Sequence, residues 1–273
     1  MVFSFGRFAV KQFFKEDRIM KEKIQEIAAA NLRALAANLY PGRGIVVGME
    51  EKSGAIVQLY WIMGRSDSSR NRIFTETDGK VMTDYADPSK VKGDASLIIY
   101  QAMGYVAIGQ PASYIHVVSN GHQTETVLEM FEDEITENLA YTLADWSYEP
   151  DAPNYTPRIT AEAGYFPGQT PYFQMVLLRK SMLSDACERF LFNFGGFYPG
   201  IGHCLTTYLG DGNPLPSFQG EPYPLPLKGN IDELAETFWA ALNGDNRVSL
   251  AVKFIYPDGN FQTKIINKYE TVR

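Results

Sequence analysis

Apolar residues recur at helical spacing between residues 16 and 39, where Ile24, Ile27, Ala28, Asn31, Ala34 and Leu35 fall on one face. The alanine-rich stretch suits a helix, and Pro41 ends it. Beyond it, short apolar runs replace the helical pattern. Residues 45–49 and 55–63 flank a Glu-Lys-Ser-Gly turn and read as a hairpin. Residues 96–103 and 114–119 are two further strands. Residues 126–146 predict a helix, with Val127, Phe131, Ile135, Leu139 and Leu143 four apart on one face. Three strands follow at 158–163, 173–179 and 187–194, separated by Gly and Pro. Residues 197–227 are dense in Gly and Pro and predict a long loop with little regular structure. A helix at 231–242 has Asn230 as its cap, and a hairpin, 248–256 with 261–268, closes across Pro-Asp-Gly-Asn.

Strands outnumber helices, and many pair with their neighbours through hairpins. The pattern predicts an α+β fold with a largely antiparallel sheet rather than an alternating doubly wound one. Periodicity leaves open whether there is one sheet or two.

Composition narrows the function classes. With 45% hydrophobic and 21% charged residues in 273, the chain can bury a sizeable core and is not disordered throughout. The net charge of −7 argues against nucleic acid or anionic lipid as partner, yet leaves room for a small anion held by local cations. No apolar run approaches a membrane span. The start, MVFSFGRFAVKQFFKED, is broken by Arg7 and Lys11 and makes a poor signal peptide. An amphipathic surface anchor is the alternative there. Cys187 and Cys204 are the only cysteines and read as packed thiols, so a cytoplasmic protein is expected.

Candidate chemistry is concentrated in arginine. The three histidines, His116, His122 and His203, have no metal-ligand spacing, and no nucleophile elbow, P-loop or dinucleotide loop occurs. Neither a metal nor a cofactor is expected. Arg43, Arg65, Arg70 and Arg72, by contrast, are four of the six basic residues between Tyr40 and Lys80, and three of them follow a strand end. A guanidinium fork suits bidentate contact with phosphate or carboxylate. The alternative is a solvated loop in which they pair with Asp67 and Glu76. Three more segments are unusually polar. VVSNGHQTET (117–126) ends a strand in Ser-Asn-Gly. WSYEPDAPNYTPRI (146–159) gathers Tyr148, Glu149, Asp151, Asn154 and Arg158 around three prolines. SLIIYQAM (96–103) sets Tyr100 and Gln101 inside an apolar run, where a tyrosine is most often core.

Taken in order, YPGRGIVVG, YWIMGRSDSSRNR, LIIYQAM, VVSNGHQTET and YEPDAPNYTPRI resemble blocks of the archaeal-type inosine monophosphate (IMP) cyclohydrolases and their bacterial relatives. The resemblance runs from about residue 40 to residue 164. It implies a fold of the N-terminal nucleophile hydrolase type, a four-layer αββα sandwich with two antiparallel sheets. It also implies ring closure of 5-formamidoimidazole-4-carboxamide ribonucleotide to IMP with loss of water, without metal or redox cofactor. By the same resemblance Arg70 and Tyr100 stand at the reacting groups with Glu149, giving three catalytic residues. Asn120, Asn154, Arg43, Arg65 and Arg158 bind substrate or brace the carboxylates. The partner implied is a purine ribonucleotide. One departure stands out: no Cys, Ser or Thr opens the strand after Tyr40-Pro41-Gly42, so a terminal nucleophile is not expected. Residues 1–39 then form a helical extension for packing or homo-oligomer contact, and 40–273 a single domain. A nucleotide-binding protein of the same fold, non-catalytic or of altered specificity, is the second hypothesis.

Overall fold

The computed structural model describes residues 4–91, 98–109, 113–133, 139–166 and 168–271. In chain order the first elements are α1 (Ser4–Ala37), β1 (Gly44–Met49), β2 (Ile56–Met63), α2 (Asp67–Arg70), β3 (Ile73–Thr77), β4 (Lys80–Asp84), β5 (Gln101–Ile108) and β6 (Ser113–Ser119). There follow α3 (Gln123–Glu132), α4 (Leu139–Thr142), β7 (Arg158–Tyr165), β8 (Tyr172–Lys180), β9 (Cys187–Phe194), β10 (Ile201–Thr206), β11 (Tyr223–Pro226), α5 (Ile231–Ala241), β12 (Arg247–Ile255) and β13 (Phe261–Asn267).

Two antiparallel sheets result, one of order β11-β10-β1-β2-β12-β13 and one of order β3-β4-β5-β6-β7-β8-β9. The central strands β1, β2, β7 and β12 are buried on both faces, and their alternate residues serve different cores. Ile45, Val47, Tyr60 and Ile62 of the first sheet meet Met103, Val118, Ala161 and Phe173 of the second between the sheets. Their neighbours Val46, Leu59 and Trp61 turn outward to Leu35 of α1 and Leu234 and Phe238 of α5. On the far side Val117, Val176 and Leu178 pack under Val127 and Phe131 of α3 and Leu139 of α4. The layers run helix, sheet, sheet, helix. Strands covered on both faces read as unbroken apolar runs, which is why they were legible but their sheet was not.

Local chemistry behaves as expected at several joints. The Asn230 side chain accepts from the backbone N–H groups of Asp232 and Glu233, and Glu233 returns the bond to complete a capping box. The 45–49/55–63 and 248–256/261–268 hairpins form.

Four expectations change. Residues 197–227 contain β10 and β11: β10 pairs along β1, and β11 is an edge strand, where Pro224 and Pro226 need no inward N–H. The strand expected at 96–103 begins only at Gln101, because Ile98 and Ile99 form a turn; Ser96 and Leu97 lie outside the described residues. In place of one helix at 126–146 there are α3, starting at Gln123, and α4, ending at Thr142; Ile135 lies outside the described residues. The first helix begins at Ser4 rather than residue 16. Its second half packs on β11 and α5. No helix among the described residues is long and apolar enough to cross a membrane.

Candidate functional site

The start of β1, the end of β2, α2 and the loop entering β7 border a cleft of about 390 Å³. Gly42 sets up its floor. Its φ of +75° and the Thr207 hydroxyl, 2.2 Å from where a Cβ would stand, exclude any side chain, and the turn delivers Arg43 into the cleft. Arg43 is buried. Its backbone N–H donates to Thr207 Oγ1 (3.0 Å), Nη1 donates to the Asn120 carbonyl (3.0 Å), and Nη2 donates to Glu149 Oε2 (2.7 Å). Burial works against the charge of Arg43, but Glu149 outweighs it, with help from the Tyr100 and Tyr60 oxygens, and holds the guanidinium well above its usual range.

Glu149 is itself buried at 4% exposure, in a loop closed by its own N–H on the Thr156 carbonyl (2.8 Å). Asp151 tightens the loop by accepting from the Thr156 N–H (2.6 Å) and from the Thr156 hydroxyl. The other Glu149 oxygen, Oε1, lies 3.8 Å from Arg158 Nη1, beyond hydrogen-bond reach. Arg158 donates instead to Gln123 Oε1 (3.0 Å) and stacks 5.0 Å over Trp146. Burial lowers Arg158 from the ordinary guanidinium range against the pull of Glu149. The Asn120 amide is committed to the backbone and Gln123: Oδ1 accepts from Ile159 N–H (2.9 Å) and Gln123 Nε2 (3.0 Å), and Nδ2 donates to Pro157 O (2.9 Å).

The opposite wall is α2 and its flanks. Ser66 caps this short helix and shares a capping box with Ser69, and Ser66, Ser68 and Ser69 all border the cleft. Arg65 lies half-exposed at the mouth, 4.9 Å over the Tyr40 ring, and pairs with Asp211. Arg72 is different. It is 6% exposed and lines the cleft, and among the described residues its guanidinium donates only to the carbonyls of Ser69 (2.9 Å) and Met63 (3.3 Å). Among the described residues no carboxylate comes within ion-pair distance of it. Burial raises the Tyr40 hydroxyl, against the combined pull of Arg72, Arg43 and Arg65.

The IMP cyclohydrolase-like protein family matches residues 40–259 of the chain. The chain belongs to that family. No curated protein and no solved structure matches it.

Within this family member the eight residues singled out from sequence separate into groups. Arg43, Glu149, Arg158 and Asn120 form one buried network. Arg65 and Asn154 border the same cleft, and Asn154 accepts from the Leu215 N–H (3.0 Å). Tyr100, 1% exposed, has its hydroxyl 2.7 Å from that of Tyr60 and its oxygen near enough to Arg43 to act on its charge. Arg70 faces the other way. Its guanidinium donates to Gly64 O (3.1 Å) and Asn246 Oδ1 (3.2 Å), and it borders a separate hollow with Asp87 and Lys90. The solvated-loop pairing with Asp67 and Glu76 does not form among the described residues: Arg65 pairs with Asp211, and Glu76 accepts from Gly79 N–H (2.7 Å).

Sequence reasoning passed over Tyr40, Ser66, Ser68, Ser69, Thr156 and Tyr208, and gave Arg72 no role beyond membership of the arginine cluster. The Ser-x-x-Ser spacing could have revealed the cap at α2. Tyr208, whose hydroxyl lies 2.5 Å from Thr156 Oγ1, carries no local signal, because it falls in the stretch expected to be loop.

Proposed function

We propose that this protein closes the purine ring, converting 5-formamidoimidazole-4-carboxamide ribonucleotide to IMP with loss of water. The observation that carries the reading is Arg72, a buried guanidinium lining the cleft whose partners among the described residues are carbonyls alone. A buried charge without a counter-ion is costly, and a phosphate dianion is the complement its fork suits. Arg65 and the serines of α2 add further donors around the same anion. Membership of the family supports a nucleotide ligand.

Nucleophile and electrophile already share one imidazole ring, so the protein has to orient them and move protons. In the first step the carboxamide nitrogen attacks the formyl carbon, and Glu149 Oε1 takes a proton from that nitrogen. The carbonyl π pair moves to oxygen, which takes the Tyr100 proton and leaves a phenolate beside Arg43. In the second step the formamido N–H proton returns to Tyr100 as the C=N bond forms. The hydroxyl leaves with the proton held by Glu149, as water. Both groups end as they began. Arg43 stabilises the charge on each, and Arg158 and Asn120 hold that assembly. Asp151 and Asn154, on the wall opposite α2, suit the ribose hydroxyls. Arg70 has no part in the chemistry in this reading. Two free thiols, Cys187 and Cys204, fit a cytoplasmic setting.

The test is to mix purified protein with the formamido ribonucleotide and follow the ultraviolet change of purine formation, identifying IMP by mass. Turnover is expected. IMP binding by calorimetry without turnover would instead favour a nucleotide-binding protein of this family, and absence of both would remove the nucleotide reading.

A further inference from the structure

One wall of the cleft carries a chain of hydroxyls that can run in only one direction. Asp151, Asn154, Thr156 and Tyr208 all border the cleft there. Asp151 Oδ1 accepts from the Thr156 N–H (2.6 Å), and Oδ2 accepts from the Thr156 hydroxyl. A carboxylate can only accept, and a threonine hydroxyl has one proton to give. With that proton spent on Asp151, Thr156 Oγ1 can only receive from the Tyr208 hydroxyl, 2.5 Å away. The chain therefore runs from Tyr208 through Thr156 to Asp151. Burial raises the Tyr208 phenol above its ordinary range, which keeps the donated proton on the phenol.

What this wall offers a ligand follows from the same count. Tyr208 has spent its proton and keeps a lone pair. Asp151 has accepted two bonds of the about four that a carboxylate can take. It takes part in none of the ion pairs among the described residues. Asn154 supplies the complement: its Oδ1 accepts from the Leu215 N–H (3.0 Å), and its amide protons have no protein partner among the described residues. Acceptors with an amide donor beside them suit two neighbouring hydroxyls, as in a cis-diol. The place along the cleft agrees. Arg72 and the serines of α2 lie across from this wall, and Glu149 stands two positions before Asp151 in the same loop. A nucleotide with its phosphate at Arg72 and its base at Glu149 has its sugar between them.

We propose that Asp151 and Tyr208 accept from the 2′,3′-cis-diol of the sugar, so that the cleft takes ribonucleotides and discriminates against their deoxy forms. The inference rests on the nucleotide reading above and narrows the ligand class. A deoxy sugar brings one proton too few to this wall. A site built to bond a hydroxyl is selective because the analogue lacking it leaves the site's own polar atom unpaired.

Calorimetry compares IMP with 2′-deoxy-IMP, 3′-deoxy-IMP and 2′-deoxy-2′-fluoro-IMP on wild type, Asp151→Asn and Tyr208→Phe. Wild type should bind each deoxy nucleotide about tenfold or more weakly than IMP. The fluoro nucleotide restores size and polarity but not the proton, so it should bind no better than 2′-deoxy-IMP. Asp151→Asn preserves shape, and its amide can still bond both the N–H and the hydroxyl of Thr156. It should weaken IMP while hardly changing the deoxy nucleotides, so the gap between them narrows. Tyr208→Phe removes the phenol acceptor and should narrow the gap as well. A deoxy nucleotide bound as tightly as IMP, or a fluoro nucleotide that matches IMP, would overturn the proposal while the nucleotide reading stood. A full gap in both variants would overturn it too, by assigning the discrimination to other residues. If wild type fails to bind IMP at all, the nucleotide reading falls and the sugar site with it. If wild type binds IMP selectively yet closes no ring, the sugar site stands and only the reaction is lost.

Discussion

Arg43 and Arg72 are both buried arginines, yet burial has opposite consequences for them. Arg43 is neutralised by Glu149 at 2.7 Å. Removing that carboxylate strands a guanidinium, so Glu149→Gln should cost about 3–5 kcal/mol of stability, the usual penalty for breaking a buried pair. Turnover should fall by about 10²–10⁴ as the base is lost. Thermal melts and rates on the same variant check both. An unchanged melt would mean that Arg43 does not depend on Glu149. Arg72 has no carboxylate to lose. Arg72→Gln should weaken IMP binding by about 1.5–3 kcal/mol, the worth of a charge-assisted contact, with the melting temperature unchanged or raised. Arg70→Ala should leave affinity near wild type, since that side chain is spent on Gly64 and Asn246. Calorimetry on the two variants decides which side of α2 meets the anion. Cys204 is fully buried, and burial pushes its thiol up to about 12, which keeps it protonated and unreactive. Cys187→Ser with Cys204→Ser should retain most of the turnover, because no step uses a thiol.

At the scale of elements, the site depends on how β1 is entered. The Gly42 carbonyl accepts from Trp61 Nε1 (3.0 Å), while Thr207 N–H donates to the Arg43 carbonyl (2.8 Å), so the turn is tied to β2 on one side and to the end of β10 on the other. Gly42→Ala forces a Cβ onto Thr207 at a positive φ and should cost about 1–3 kcal/mol in backbone strain. It should also reduce turnover more than a loss of stability alone explains, because Arg43 is the next residue. Comparing activity well below the melting temperature with wild type tests this, and normal activity there would show that the floor tolerates a shifted turn. The composition of 197–227 marked Gly and Pro correctly but not their use. Gly202 lets β10 lie close to Val46 and Leu227, and the two prolines of β11 sit at a sheet edge. Propensity argued for a loop, and pairing with β1 overrode it.

For the whole molecule, buried ionisable groups on the two faces of the sheets set the pH response, and Lys253 lies between the sheets. Lys253 is buried there, donating to Gly79 O (3.1 Å) and lying 4.2 Å from the Phe261 ring, and burial lowers it to about 7 despite Glu76. An unfolded lysine titrates near about 10.4, so between about pH 7 and 10 the unfolded chain holds the extra proton and stability rises with pH. On the outer face of the second sheet Glu162 behaves conversely. Burial raises it to about 8, against the opposing pull of the Tyr172 hydroxyl. Between about pH 4.3, the unfolded value, and 8 the native state holds the proton, so stability falls as pH rises. Each group is worth on the order of a few kcal/mol across its window. Urea unfolding at a series of pH values should show Lys253→Met flattening the alkaline rise and Glu162→Gln flattening the fall below 8. Slopes that persist in both variants would assign the response to other groups.

The amino-acid sequence by itself determined what local chemistry controls: the cap at Asn230, the two hairpins, most strand cores, the arginine density after β2 and the stiff loop carrying Glu149. These depend on side-chain periodicity, turn residues and backbone preferences within a few positions. Only the tertiary structure decided that Arg72 faces the cleft and Arg70, two positions earlier, faces away. A helix of four residues that ends at Arg70, with Arg72 just past its cap, has no sidedness of its own, so what packs behind it chooses. The same holds for the Tyr60–Tyr100 bond and for Arg43 with Glu149, partners 40 and 106 residues apart. Such pairs exist because two sheets close over a shared core, and a contact between distant segments leaves no periodic trace in either one.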